Sequence, residues 1–139
     1  MRIYLIGSLR NPDIPAIGNA LRKEGYDVFD DWHAAGPHAD DEWKRYEQQR
    51  GRDYLQALSG YAARHVFDFD YRHIIMSDVG VLVMPAGKSG HLELGFMLGQ
   101  GKPGYILLQD ADRWDCMYQF ATGIAPDFAG LLALMRSGT

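Results

Sequence analysis

Short apolar runs alternate along the chain with stretches whose apolar residues recur every three or four positions, the pattern of strands and helices in turn. Ile3 to Ile6 is a β-favouring run stopped by Gly7 and Ser8, and reads as a first strand. Asp13 in the capping position, Pro15 in the first turn and Ile14, Ile17 and Leu21 at helical spacing predict a helix closed by Gly25. Tyr26 to Phe29 is a second strand ending in the acidic pair Asp30-Asp31. A loop rich in Gly, Pro and Asp, from Ala34 to Asp41, leads into a polar helix. Its Trp43, Tyr46, Tyr54, Leu55 and Leu58 fall mostly on one face.

A further helical stretch, interrupted near Ser59-Gly60, runs through Val66, Phe67, Ile74 and Ile75 to Ser77. Val79 to Met84 is the most apolar run, as a central parallel strand covered on both faces requires. After a small-residue loop from Pro85 to Gly90, the residues Leu92, Leu94, Phe96, Met97 and Leu98 predict a helix ended by Gly99 and Gly101. Tyr105 to Leu108 is a fourth strand, a short fifth is expected near Ala121 to Ile124, and a last helix from about Asp127 to Arg136. The fold expected is α/β: a doubly wound, flavodoxin-like or Rossmann-like parallel sheet of four to five strands flanked by helices. Its 139 residues are expected to form a single domain, 1–139, without repeats or linkers.

Composition narrows the partners. With 47% hydrophobic and 23% charged residues the chain reads as an ordinary globular protein, and its net charge of −4 argues against a nucleic-acid polymer as partner. A small molecule is the expected ligand. No apolar run is long enough to span a bilayer, the strand-like start has no signal-peptide character, and Cys116 is the only cysteine. A cytoplasmic setting is expected, with Cys116 packed inside. The five histidines, His33, His38, His65, His73 and His91, form no recognised metal pattern and read as surface or cap residues. The charge run from Lys44 to Arg52 reads as a solvated helix face.

In open α/β sheets a ligand sits at the carboxyl ends of the strands, where strand order reverses. Three polar clusters are expected there: Gly7-Ser8-Leu9-Arg10, Asp30 to His33, and Gly87-Lys88-Ser89-Gly90 leading to Glu93. The third is no P-loop, because Leu82 stands where that motif needs its first glycine, and Gly7-Ser8-Leu9 offers only one glycine of a dinucleotide fingerprint. Glu93 is the informative residue. In the first turn of a helix it would feel the positive end of the dipole and stay ionised, as a nucleophile must. The bland alternative is a capping residue reaching back to the amides of Ser89 or Gly90. Trp32 could stack on a base or anchor the loop that follows it.

The stretch from Asp78 through Glu93-Leu94-Gly95 to Gly99-Gln100-Gly101-Lys102 resembles the nucleoside 2-deoxyribosyltransferase family. So do Ile3 to Ser8, and Asp70 eight residues before Asp78. That family includes deoxynucleoside 5′-monophosphate N-glycosidases. The resemblance implies cleavage of an N-glycosidic bond without a cofactor or metal. Glu93 would be the nucleophile, Asp70 the acid that handles the nucleobase, and Tyr4 the hydroxyl that orients the glutamate. The strand-end clusters and the resemblance together give an expected substrate shell of Gly7, Ser8, Asp31, Trp32, Gly87, Lys88, Ser89, Asp115 and Met117, and the resemblance implies a homo-oligomer whose subunits share sites. Gly87 departs from the family, where an aspartate or serine stands. Asp115 aligns with a residue lent to a neighbour's 5′ pocket, where it would accept from a hydroxyl and repel a phosphate. Lys88 could pair with Asp115 or capture a phosphate instead.

Three functions are therefore open. The first is a deoxyribosyltransferase or deoxynucleotide N-hydrolase, the second a nucleotide-sensing module on the same fold, and the third an interaction domain in which Glu93 only caps a helix.

Overall fold

The computed structural model describes residues 1–109 and 114–138. Five strands, β1 (Arg2–Ile6), β2 (Asp27–Phe29), β3 (Val79–Val83), β4 (Gly104–Leu107) and β5 (Gly123–Ala125), form one parallel sheet in the order β2-β1-β3-β4-β5. The helices are α1 (Ile14–Lys23), α2 (Ala39–Gln48), α3 (Tyr54–Leu58), α4 (Tyr61–Met76), α5 (Lys88–Gly99) and α6 (Phe128–Ser137). The doubly wound α/β reading of the sequence is the fold observed. From β1 the chain steps outward to β2 and then crosses back to β3, so the switch point lies between β1 and β3.

Strand alternation sorts the core into two layers. Ile3, Leu5, Val81, Val83 and Leu107 face α1 and α6 and pack on Ile14, Leu21 and Leu131. Tyr4, Ile6, Leu82 and Ile106 face the other way, toward α4 and α5, and pack on Ile74, Leu94 and Met97. A tyrosine thus occupies a strand position otherwise filled by aliphatic side chains. Two glycines let α5 approach the sheet closely. A Cβ on Gly80 would lie 2.8 Å from the Met97 sulfur, and one on Gly90 would lie 3.0 Å from Leu82 Cδ1.

Several sequence expectations need correction. Asp13 holds the N-cap position of α1 but makes no capping hydrogen bond with its side chain, because its backbone is already helical there. The polar helix is two helices. Gly51 takes a positive φ of 72° after α2, and Asp53 opens α3 with a reciprocal capping box to Gln56. The loop expected up to Asp41 is shorter, because a 3-10 turn fills 31–35 and α2 begins at Ala39. Within the charge run, Glu47 is not solvated. It is 2% exposed and accepts from Arg52 at 2.6 Å and from the Trp43 indole at 3.1 Å. Cys116 is exposed rather than packed inside.

Lys102 ends the most distinctive stretch of the sequence. Its ammonium donates to the carbonyls of Ile74 and Ile75, at 3.1 and 3.0 Å, and so caps the carboxyl end of α4. Among the described residues no helix is long and apolar enough to cross a membrane, and no group of three His, Cys, Asp or Glu could hold a metal ion.

Candidate active site

The helix carrying Glu93 starts earlier than the periodicity suggests. Lys88, Ser89 and Gly90 form its first turn, which puts Glu93 in the second turn, beyond the strongest influence of the dipole. The inward stripe of α5 runs Gly90, Leu94, Met97, with Glu93 beside Leu94 on that stripe. The glutamate is therefore half-buried against the sheet at the switch point.

It does not cap its own helix. The hydroxyl of Tyr4, which is 1% exposed, donates a 2.8 Å hydrogen bond to Glu93 Oε2. Asp70 occupies the inner stripe of α4, one turn before Ile74, and completes a cluster of three ionisable groups. Burial raises the Glu93 carboxyl to about 7, the Tyr4 hydrogen bond pulls it back down, and the charge of Asp70 adds to the rise. Burial also raises Asp70, to about 6. The Tyr4 hydroxyl is raised far above its ordinary value, first by burial and then by the charges of Glu93 and Asp70. Burial thus works against the ionised form of Glu93 expected from the sequence, and the Tyr4 hydrogen bond supports it.

An aromatic stack walls the site on the β2 side. Phe29 lies 5.3 Å from the Tyr4 ring and stacks on His73 at 3.9 Å with the planes 4° apart, while Phe69 meets the His73 ring edge-on. Trp32 is the anchor of the loop it begins. Its indole donates at 2.7 Å to the carbonyl of Leu5, just past the end of the β1–β2 ladder.

The chain is similar to a solved structure of a 2-deoxyribosyltransferase from the psychrotolerant bacterium Bacillus psychrosaccharolyticus, a biocatalyst for nucleoside synthesis. Identity is 20% over 94% of this chain and 90% of that one, with a TM-score of 0.63. At that identity the likeness establishes the fold. No family model and no curated protein matches the chain.

Of the other residues singled out in the sequence, Gly7 and Ser8 lie at the carboxyl end of β1. Gly7 packs closely on Ile14, and the Ser8 hydroxyl accepts from the Arg10 amide at 3.1 Å. Asp31 is exposed at the start of the 3-10 turn. Its neighbour Asp30 is a structural group, paired with Arg22 of α1. Gly87, Lys88 and Ser89 are exposed at the start of α5, where no side chain caps the helix. Asp115 accepts from the Met117 amide at 2.9 Å and begins a second 3-10 turn over Cys116–Phe120. Among the described residues Lys88 does not pair with Asp115.

Two of the histidines expected to be surface or cap residues join elements at this end of the sheet. His33 contacts the carbonyl of Asn11 at 2.9 Å, and His91 links Gly87 to Tyr118. The partners Asn11 and Tyr118 lie 22 and 27 positions away, so neither link leaves a local signal. A cavity of about 300 Å³ lined by Ile17, Leu107, Gln109, Pro126, Asp127 and Phe128 lies on the opposite face, away from this chemistry.

Proposed function

We propose that the protein is a nucleoside 2-deoxyribosyltransferase, and that Glu93, Asp70 and Tyr4 are its catalytic residues. The observation that carries this reading is the Tyr4–Glu93 hydrogen bond on the inner stripe of α5, with Asp70 facing it from α4. Retaining glycosyl transfer needs one carboxylate as nucleophile and a second group to protonate the departing atom. In the first step an oxygen of Glu93 bonds to the anomeric carbon as the bond to the base nitrogen breaks. The electron pair leaves on the base, which takes a proton from Asp70. In the second step another base, or water, attacks the anomeric carbon, gives a proton to Asp70 and releases Glu93. Tyr4 holds the glutamate in line and favours its ionised form. No step requires a cofactor. The 20% identical neighbour supports this reading through its described activity.

A second reading, a deoxynucleoside 5′-monophosphate N-glycosidase, is favoured by the first turn of α5. Gly87 leaves open space, and Lys88 and Ser89 are exposed beside uncapped amides, which suits a phosphate. Chromatography of reactions with deoxynucleosides and their monophosphates, with and without an acceptor base, tests both. Base exchange on nucleosides supports the transferase, and base release from monophosphates alone supports the glycosidase. No release from any of them refutes both.

We also read the exposed apolar face of α4 and α5 as a contact between copies of this chain. Phe67 stacks on Tyr71, and Tyr71 meets Phe96 across the two helices with ring centres 5.7 Å apart. Phe67 is 65% exposed and Leu92 74% exposed. A face of this kind on a protein in water marks an interaction surface. It lies on the same two helices as Glu93 and Asp70, so a second copy seated there would border the site. A small-molecule partner and a cytoplasmic location belong to the same proposal.

A further inference from the structure

Among the described residues the segment 115–120 makes very few polar contacts with the rest of the protein. Among the described residues the Asp115 carboxylate accepts from Met117 and the Gln119 amide donates to Cys116, both within the segment. Among the described residues, the side-chain hydrogen bonds that leave it are those of the Tyr118 hydroxyl, to His91 at 2.8 Å and, weakly, to the Met84 sulfur at 3.5 Å. Tyr118 packs with Met84 against the same apolar layer as Tyr4. His91 stands two residues before Glu93, and its Nδ1 lies 2.7 Å from the Gly87 carbonyl. The two rings stack with centres 5.6 Å apart.

We propose that His91 is a positioning residue whose imidazole bolts the 115–120 segment to the first turns of α5, the helix that carries Glu93, and against the apolar layer that holds Tyr4. The tautomer follows from the partners. A carbonyl only accepts, so Nδ1 carries the hydrogen. The neutral ring then accepts at Nε2, and the Tyr118 hydroxyl is the donor. The imidazole therefore does what no aliphatic residue could at this place, because it spans from Gly87 to Tyr118 with one rigid ring. Its consequence for catalysis rests on the function proposed above, but the bolt itself does not.

Cys116, the only cysteine, lies within the segment and is exposed, so a nitroxide attached to it reports the segment's motion in the full chain. Two substitutions separate the bolt from a local contact. His91→Gln reaches Tyr118 with an acceptor, whereas His91→Asn can satisfy Gly87 but falls short of Tyr118. The label is expected to be held in the wild type and in His91→Gln, and freed in His91→Asn and Tyr118→Phe. With a turned-over substrate, His91→Asn should raise KM about tenfold, the scale of one lost hydrogen bond, with kcat changed by less than about twofold. Equal label motion in His91→Asn and wild type, or equal release by Gln and Asn, overturns the proposal. A wild type with no turnover on any deoxynucleoside or monophosphate contradicts the proposed function alone, and the label still decides the bolt.

Discussion

The hydroxyl of Tyr4 donates a 2.8 Å hydrogen bond to the carboxylate of Glu93, although 89 positions separate them in the chain. The strand-order switch makes this possible. β1 and β3 are neighbours, α5 follows β3, and the glycines at 80 and 90 bring that helix down onto the sheet. A hydroxyl on a buried strand and a carboxylate on the inner stripe of a helix have no packing role that leucine would not fill better. The pair is expensive to keep dry and so points to chemistry.

The first prediction concerns stability. Glu93 ionises near 7 in the folded protein and near its ordinary value of 4.5 when unfolded, so above pH 7 the unfolded chain has the advantage of releasing that proton more easily. Glu93 therefore lowers stability by about 1–3 kcal/mol at pH 8, an effect that fades through the window from 7 to 4.5 and is absent below it. Denaturant melts should show Glu93→Gln more stable than wild type at pH 8 and equal to it at pH 4. Equal or lower stability at pH 8 would contradict the burial seen at this site.

Turnover should follow a narrow bell in pH. The nucleophile must be ionised and the acid protonated, with groups raised to about 7 and about 6, so kcat/KM should peak between these values and fall on both sides. Tyr4→Phe removes a hydrogen bond that lowers the Glu93 value, and because that value already lies above the one of Asp70, the alkaline limb should move to higher pH and the peak should fall. An alkaline limb and a peak that both stay in place would show that Tyr4 does not act on Glu93.

How much of this was legible in the sequence depends on distance along the chain. The strands, the α/β alternation and the helices around Leu21 and Leu94 follow from local periodicity and were readable. The start of α5 was not, since Lys88, Ser89 and Gly90 have no apolar period, and their glycine and serine read as loop. That error of about one turn misplaced Glu93 relative to the helix end and hid its burial against the sheet. The break at Gly51 was equally hidden, because the apolar positions on either side of it keep a helical spacing. Tyr4 and Asp70 were reachable only through resemblance to a family. Nothing local says that a tyrosine in an apolar strand will meet a carboxylate from a helix beyond β3.

Arg22 and Asp30 supply a test of the scaffold. The Asp30 carboxylate is nearly buried and bonded to the Arg22 guanidinium, which also donates to the Val28 carbonyl at 3.1 Å. Arg22→Met strands a buried charge and should cost about 3 kcal/mol in a denaturant melt. A loss below about 1 kcal/mol would show that solvent reaches Asp30.

Sedimentation tests the apolar face. A dimer or larger assembly is expected for the wild type, and Phe67→Glu should shift it toward monomer because a charge cannot be buried there unpaired. A fully active wild-type monomer would refute the contact.

The most direct test of the central claim is mass spectrometry of the protein quenched while it turns over a deoxynucleoside that forms its intermediate faster than it resolves it. A mass increase of one deoxyribosyl group, mapped to the peptide holding Glu93 and absent from Glu93→Ala, is the predicted result. Release of base that continues in Glu93→Ala, with no adduct on that peptide in the wild type, would contradict it.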